Sequence, residues 1–172
     1  MFSLFKRSYS PKERALFRFL RKNDLFHFLT DDELAEFVPF LHNRTYRASE
    51  IVFFRHDPSQ ALYLVKEGRI SISIDIEGRF EELHVVGPAG FLGEHALLEN
   101  KRRLYHATCL SETAELYVIP RLNIMEIFED HVAIKAKVMA ALAERQSLLQ
   151  QNLFNAYQSS FGFFDLSQVF NK

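Results

Sequence analysis

Between Tyr46 and Pro120 the hydrophobic residues recur with a period of two, and short turn-forming segments interrupt the pattern. Arg69–Ile76 shows it best, because four isoleucines alternate with Ser71, Ser73 and Asp75. This alternation predicts a strand with the isoleucine face buried and the other face solvated. Short strands joined by turns are typical of a sandwich or barrel. The segments predicted as strands are Ile51–Arg55, Ala61–Lys66, Arg69–Ile76, Phe80–Val86, Leu104–Leu110 and Ala114–Ile119.

Helical patterns flank this region. Ser10 followed by Pro11 and Glu13 is typical of a helix start, and Thr30 with Glu33 predicts a second capping box. After Pro120 the period returns to that of a helix. The apolar stripes expected at helical spacing are Leu16, Phe17, Phe19 and Leu20 in the first helix, Leu34, Phe37, Val38 and Leu41 in the second, Ile124, Ile127 and Phe128 in the third, and Ile134, Val138, Leu142 and Leu149 in the last. The stripe of the second helix is expected to be buried.

Length and composition fit one globular domain. The chain has 172 residues, 48% of them hydrophobic and 25% charged. No apolar run approaches the roughly 18–20 residues of a membrane-spanning helix, and no secretory signal is recognisable. The single cysteine, Cys109, is expected to be a buried small residue rather than a nucleophile. We therefore expect a cytoplasmic protein. The 18 phenylalanines indicate a large core or an apolar surface kept for a partner.

The small net charge conceals an uneven distribution. Residues 1–22 carry seven basic side chains and one acidic one, whereas residues 23–120 carry 9 basic and 16 acidic. The simplest interpretation is that the basic N-terminus docks on the acidic body. The alternative is a contact with anionic lipid, nucleic acid or another protein.

Residues 90–98, Gly-Phe-Leu-Gly-Glu-His-Ala-Leu-Leu, form the most informative segment. Gly93 allows a ligand to approach the backbone, and a short helix after it would direct N–H groups at an anion. Glu94 would repel a phosphate, so it fits this site only as an acceptor for a hydroxyl group such as that of a ribose. By itself the segment is better explained as a capped turn between strands, with Glu94 as an N-cap acid.

The chain resembles the cyclic nucleotide-binding domain family, which includes the catabolite activator protein and the regulatory subunit of protein kinase A. The likeness covers about residues 25–145, and it is carried by Leu29-Thr30, Glu33-Leu34, Arg44, Tyr46, Val52-Phe53, Asp57, Gly68, Phe91 to Leu98, Ala107-Thr108 and Glu115 to Arg121. The resemblance implies a mainly β fold with flanking helices (α+β), in which a β jelly-roll barrel is followed by a long helix serving as lid and dimer contact. The predicted divisions are 1–24 (basic helical extension), 25–120 (jelly roll), 121–150 (lid and dimer helices) and 151–172 (aromatic-rich tail).

The resemblance also implies a ligand site for cyclic AMP or cyclic GMP. Phe91 to Leu98 is similar to the family's phosphate-binding cassette. In the family the glutamate of this cassette, here Glu94, contacts the ribose, and an arginine nine or ten residues later holds the phosphate. Counting from Glu94 gives Arg103, but counting back from Ala107-Thr108 gives Tyr105. The loop therefore differs in length from the family pattern, and the occupant of the phosphate position stays open. The candidate ligand-binding residues are Gly93, Glu94, His95, Ala96, Arg103, Tyr105, Ala107 and Thr108.

Other chemistries lack support in the sequence. The seven histidines share no metal-ligand spacing, and no serine or cysteine has evident catalytic partners. We therefore expect neither a metal site, nor a cofactor, nor an enzyme. About 25 residues follow Arg145, too few for the helix-turn-helix domain of the family's transcription factors, so we expect no DNA-binding domain. The apolar stripe of the last helix fits either a cap on the barrel or a contact between two subunits, as in the family, and of these we expect the homodimer.

Two hypotheses of function remain. In the first, the chain is a regulatory module that binds a cyclic nucleotide in the barrel and relays binding through residues 121–150. In the second, it is a protein-interaction module that keeps the fold with a degenerate phosphate-binding cassette. The aromatic tail either folds back on the barrel, swaps onto a dimer mate or presents Phe163 and Phe164 to another protein. A pocket filled by Tyr105 would favour the second hypothesis.

Overall fold

The computed structural model describes residues 7–161, and it contains eight strands between two groups of helices. The helices are α1 (Pro11–Arg21), α2 (Asp31–Ala35), α3 (Arg121–Asp130) and α4 (Val132–Phe161), with 3-10 turns at Val38–Phe40 and Glu94–Leu97. The strands are β1 (His42–Arg47), β2 (Ile51–Phe53), β3 (Ala61–Glu67), β4 (Ile70–Ile76), β5 (Arg79–Val86), β6 (Phe91–Leu92), β7 (His106–Cys109) and β8 (Thr113–Pro120).

The strands form two four-stranded antiparallel sheets, in the orders β1-β8-β3-β6 and β2-β7-β4-β5. One cluster of buried side chains lies in the barrel and includes Phe53, Val65, Ile70, Ala107 and Leu116. A second cluster joins the helices to the outer barrel wall. The predicted β jelly roll with flanking helices is confirmed.

The two predicted N-terminal capping boxes are present. The Ser10 hydroxyl accepts from the backbone N–H of Glu13, and Thr30 does the same for Glu33. The second helix is shorter than its hydrophobic pattern suggested, because α2 ends at Ala35 and a 3-10 turn containing Pro39 follows. Pro39 has no backbone N–H to donate to the carbonyl oxygen of Ala35, so the α-helical hydrogen-bond pattern cannot continue past this point.

The predicted inward face of β4 is correct only for its first half. Ile70 and Ile72 are buried, but Ser73 is also buried and Ile76 is half exposed. The pairing of β4 with β5 shifts between Ile72 and Ser73. Ile72 pairs with His84 and Ser73 with Glu82, so the extra residue, Leu83, lies in β5 and the alternation along β4 itself is not reversed. Ile76 is exposed because the tip of the β4–β5 hairpin, where β5 is also exposed from Arg79 to His84, extends past the core.

Two strands and one helix end were not foreseen. β1 (His42–Arg47) is almost entirely exposed, and its polar sequence gives no alternating signal. β6 has only two residues. The helix predicted to end at residue 150 continues to Phe161 as α4, so the first part of the predicted tail is helical. The candidate contacts of Phe163 and Phe164 lie outside the described residues.

The basic N-terminus makes part of the predicted contact with the acidic body. Arg7 pairs with Glu36 at 2.8 Å, and Arg21 pairs with Asp31 at 2.5 Å. No helix within residues 7–161 is long and apolar enough to cross a membrane.

Candidate functional site: the 93–105 cassette

Gly93 sits between β6 and the 3-10 turn Glu94–Leu97 with a left-handed backbone, φ +79°. A Cβ at this position would lie 2.2 Å from Nη1 of Arg103 and 3.0 Å from the carbonyl oxygen of Ala61. Glycine is therefore required for two reasons, the left-handed dihedral angle and the close packing of Arg103 and Ala61 against it. The sequence assigns Gly93 to the close approach of a ligand, whereas the group that approaches it in the structure is a side chain of the same protein.

The hydroxyl of Tyr105 forms hydrogen bonds with the polar groups of the cassette. Its hydroxyl accepts a hydrogen bond from the backbone N–H of Gly93 at 2.9 Å and donates one to Oε2 of Glu94 at 3.0 Å. Burial, followed by the negative charge of Glu94, raises the pKa of Tyr105 far above its usual range. The phenol therefore remains protonated and able to donate. One hydroxyl thus engages both the N–H predicted for a phosphate and the carboxylate predicted for a ribose.

Arg103 lies beside Tyr105 and is only 3% exposed. Its Nη1 donates to the carbonyl oxygen of Gly93 at 3.0 Å, and its Nη2 donates to that of Ala61 at 2.8 Å. The guanidinium group clamps the cassette turn to the start of β3. Burial lowers the pKa of Arg103, but an arginine side chain stays protonated in a protein.

Aromatic rings compensate for the burial of this cation. The guanidinium carbon of Arg103 lies 4.2 Å from the ring centroid of Phe53 and 5.5 Å from that of Tyr63. Tyr105 packs against Phe53 with 5.6 Å between ring centroids. Cation–π attraction strengthens when the cation is removed from water. Phe53, Tyr63 and Ala61 are the site residues that sequence reasoning missed, since nothing in their local pattern distinguishes them from ordinary strand residues.

Arg103 nevertheless lacks a carboxylate partner among residues 7–161, and its Nε has no hydrogen-bond partner there. The cation is held by two carbonyl oxygens and two rings. These contacts leave no gap for a phosphate between the guanidinium and the Gly93 carbonyl.

The remaining candidates differ in position. Nδ1 of His95 is buried 3.6 Å from Oε1 of Glu94, and its contact is with that carboxylate. Ala96 is buried in the 3-10 turn, and its N–H donates to the carbonyl of Gly93. Ala107 is a buried part of the barrel wall. Thr108 follows it on β7 and is half exposed, so strand alternation turns its side chain to the opposite face.

The cassette is connected to the C-terminal helices. Arg121, at the start of α3, donates from its guanidinium to the carbonyl oxygen of Ala96. Arg145 of α4 pairs with Asp24 at 3.3 Å and lies over the ring of Phe91, just before the cassette turn. α3 therefore contacts the cassette turn directly, and α4 contacts the strand that precedes it.

Metal binding has no support in the part of the chain that the structure describes, where no group of three or more histidine, cysteine or acidic side chains could hold an ion. Cys109 is buried, as predicted.

Comparison with known proteins agrees with the architecture. The family model described as "Cyclic nucleotide-binding domain" matches residues 43–131, a little over half of the chain. Together with the jelly roll and the cassette between β6 and β7, this match shows that the chain belongs to the cyclic nucleotide-binding domain family.

Three similar proteins illustrate the range of the family. The cyclic AMP receptor protein of Thermus thermophilus is 27% identical over 127 residues, which is 73% of this chain and 58% of that protein. The regulatory domain of Toxoplasma gondii PKA, solved with cAMP, superposes with a TM-score of 0.63 and 28% identity, covering 70% of this chain and 46% of that one. The N-terminal domain of a transcriptional regulator from Streptomyces coelicolor superposes with a TM-score of 0.67 and 27% identity, covering 77% of this chain and 92% of that one.

The chain thus spans less than two thirds of the Thermus protein. Among the relatives are two cGMP-dependent protein kinases, each matched over 16% of its length. The family relationship supports a regulatory module of the ligand-sensing class.

Proposed function

We propose that this chain is a non-catalytic regulatory domain whose cassette is closed by its own side chains and which acts through protein contacts without a bound cyclic nucleotide. The observation that carries the proposal is the Tyr105 hydroxyl, bonded to both Gly93 and Glu94. Of the two hypotheses drawn from the sequence, this geometry favours the protein-interaction module.

Arg103 supports the same conclusion. A phosphate-binding arginine must direct its donors at the ligand, whereas Arg103 directs two of them at the carbonyls of Gly93 and Ala61. Its aromatic neighbours also cover the guanidinium. Releasing Arg103 would break the clamp between the cassette and β3.

Binding of cyclic AMP or cyclic GMP, the first hypothesis, would require the ligand to displace these contacts. Each hydrogen bond given up contributes about 0.5–3 kcal/mol, with the bonds to charged groups at the upper end. The ligand would also have to expel the Tyr105 ring from its place against Phe53. The closed state therefore competes directly with the nucleotide for the same donors and acceptors.

Residues 121–161 provide the route to a partner in this proposal. The face of α4 that is buried on the body at Ile134, Val138 and Leu142 continues beyond the body as Leu149 and Leu153, which are exposed. A solvated helical segment with apolar side chains gains stability from a packed partner. We assign this face to a homodimer of a cytoplasmic protein.

The test is calorimetric titration of the full chain with cyclic AMP and cyclic GMP, alongside Glu94→Ala and Arg103→Ala. The expected result is no heat and no thermal shift at millimolar nucleotide. Micromolar binding that both substitutions weaken at least about tenfold would overturn the proposal and establish the first hypothesis. Binding weakened by Glu94→Ala alone would equally overturn it and would move the phosphate contact away from Arg103.

A further inference from the structure

The hairpin formed by β4 and β5 projects from the barrel. Every residue of β5 from Arg79 to His84 is exposed, although the strand is eight residues long. β5 is the last strand of its sheet, with β4 on one side and no strand on the other among the described residues. Long, unprotected edge strands are uncommon because their free backbone groups pair with other chains.

The turn geometry identifies which backbone groups are free. Glu77 and Gly78 have φ angles of 50° and 78°, as in a type I′ turn, and Ile76 pairs with Arg79 across it. In such a two-residue hairpin the closing pair is hydrogen bonded, so the next pair is not. The N–H groups of Phe80 and Glu82 therefore point away from β4.

Apolar side chains accompany this edge. Phe80 is 69% exposed, Leu83 is 58% exposed and Ile76 is 49% exposed. Phe80 makes an edge-on contact with the ring of His106 at 5.0 Å, which fixes it on the sheet surface. Exposed apolar side chains concentrated on one hairpin indicate a contact surface.

The charge of the hairpin is negative. The hairpin, residues 70–86, carries one basic side chain, Arg79, against the glutamates Glu77, Glu81 and Glu82. Its remaining carboxylate, Asp75, is already paired with Arg55 at 3.1 Å. No ion pair involves Glu77 or Glu81 within residues 7–161. A complementary segment would place basic side chains opposite these glutamates.

We propose that the outer edge of β5 binds an extended segment of a partner protein, with alternating apolar and basic residues, as an added strand of the sheet. Main-chain hydrogen bonds to Phe80 and Glu82 would supply the pairing, and the side chains of Phe80, Leu83 and Glu81 would select the sequence. This inference rests on the proposed function, since it names the surface through which a protein-interaction module makes its contact.

The probe is a labelled eight-residue peptide that alternates valine with lysine or arginine, titrated into the full chain by fluorescence anisotropy. The matched control peptide has the same sequence with alternate backbone amides N-methylated, which blocks strand addition on one edge and keeps charge and apolar area. We expect the first peptide to bind with a Kd below about 1 mM and the second not to bind. Amide exchange at Phe80 and Glu82 should slow only with the first peptide.

Protein variants distinguish specific binding at β5 from non-specific binding of the peptide. Phe80→Thr and Glu81→Lys should each weaken binding at least about tenfold, whereas Phe28→Thr, which removes another exposed phenylalanine, should leave it unchanged. Equal binding of both peptides, or no saturation at millimolar peptide, overturns the inference. Self-association through β5 that excludes the peptide also overturns it, because the occupant would then be a second copy.

The two proposals can fail independently. Calorimetry with cyclic AMP reports on the cassette, while the peptide titration and amide exchange report on β5. Nucleotide binding with unchanged peptide binding would remove the proposed function and leave the β5 surface in place.

Discussion

Replacing Tyr105 with phenylalanine should destabilise the domain by about 2–3 kcal/mol. The substitution removes one hydroxyl and leaves the Gly93 N–H and the Glu94 carboxylate without the partners that they have in the structure. A buried donor left unsatisfied costs about 1–3 kcal/mol, and a hydrogen bond to a charged group contributes about 1.5–3 kcal/mol. The ring itself remains, so packing against Phe53 should change little.

The assay is urea and thermal unfolding of Tyr105→Phe with Tyr63→Phe as the control. Tyr63 belongs to the same cluster, but its hydroxyl has no hydrogen-bond partner among residues 7–161. For a domain of this size the expected loss lowers Tm by about 4–12 °C, and Tyr63→Phe should have a clearly smaller effect. Equal losses for the two variants would refute the idea that the Tyr105 hydroxyl closes the cassette.

Three further predictions follow from contacts around the fold. Gly93→Ala should destabilise by about 2–4 kcal/mol in urea unfolding, because its Cβ would meet Nη1 of Arg103 at 2.2 Å and its φ is +79°; an effect below about 1 kcal/mol would contradict the close packing. The double substitution Leu149→Glu with Leu153→Glu should halve the molar mass measured by light scattering, whereas Gln150→Glu should leave that mass unchanged. A monomeric mass for the wild type would exclude the homodimer. Burial raises the pKa of Glu33, but hydrogen bonds from Lys137 and Thr30 lower it by more, so its net shift is downward. The stability that Glu33 contributes should therefore be complete above its ordinary pKa of 4.5 and lost as pH falls through the lower folded value. Glu33→Gln should flatten the acid side of a plot of unfolding free energy against pH.

The parts of the fold that could be predicted are those specified by local chemistry. Capping boxes involve residues three positions apart, so Ser10 with Glu13 and Thr30 with Glu33 located two helix starts correctly. Alternation located most strands within a few residues. The bulge at Leu83, opposite Ile72, could not be predicted, because it depends on the pairing between β4 and β5. β1 could not be predicted either, since pairing with β8 stabilises it without a buried face of its own.

The candidate site was predicted in composition but not in arrangement. Gly93, Glu94, Arg103 and Tyr105 do come together in the structure. Two counts along the sequence left Arg103 and Tyr105 as rivals for one position. In the structure they take different roles, one clamping carbonyls and the other bridging Gly93 to Glu94. Sequence spacing cannot show this, because Ala61, Phe53 and Tyr63 reach the site from distant strands.

If Tyr105 closes the cassette, Tyr105→Arg should open it to a cyclic nucleotide. The guanidinium cannot reproduce the phenol's role as an acceptor for the Gly93 N–H, so that donor becomes available to a phosphate. It also places a bidentate cation at the position counted back from Ala107-Thr108. A charge-assisted contact of about 1.5–3 kcal/mol corresponds to roughly a 10- to 150-fold gain in affinity.

Calorimetry should therefore detect cyclic AMP or cyclic GMP binding to Tyr105→Arg and not to the wild type. Tyr105→Gln is the matched control, since it removes the phenol without adding a cation. Circular dichroism establishes that both variants are folded. Binding to Tyr105→Arg alone assigns the defect of the native cassette to a missing cation, whereas binding to both variants assigns it to obstruction by the ring. Failure of both folded variants to bind would mean that the Arg103 clamp, rather than Tyr105, keeps the cassette closed.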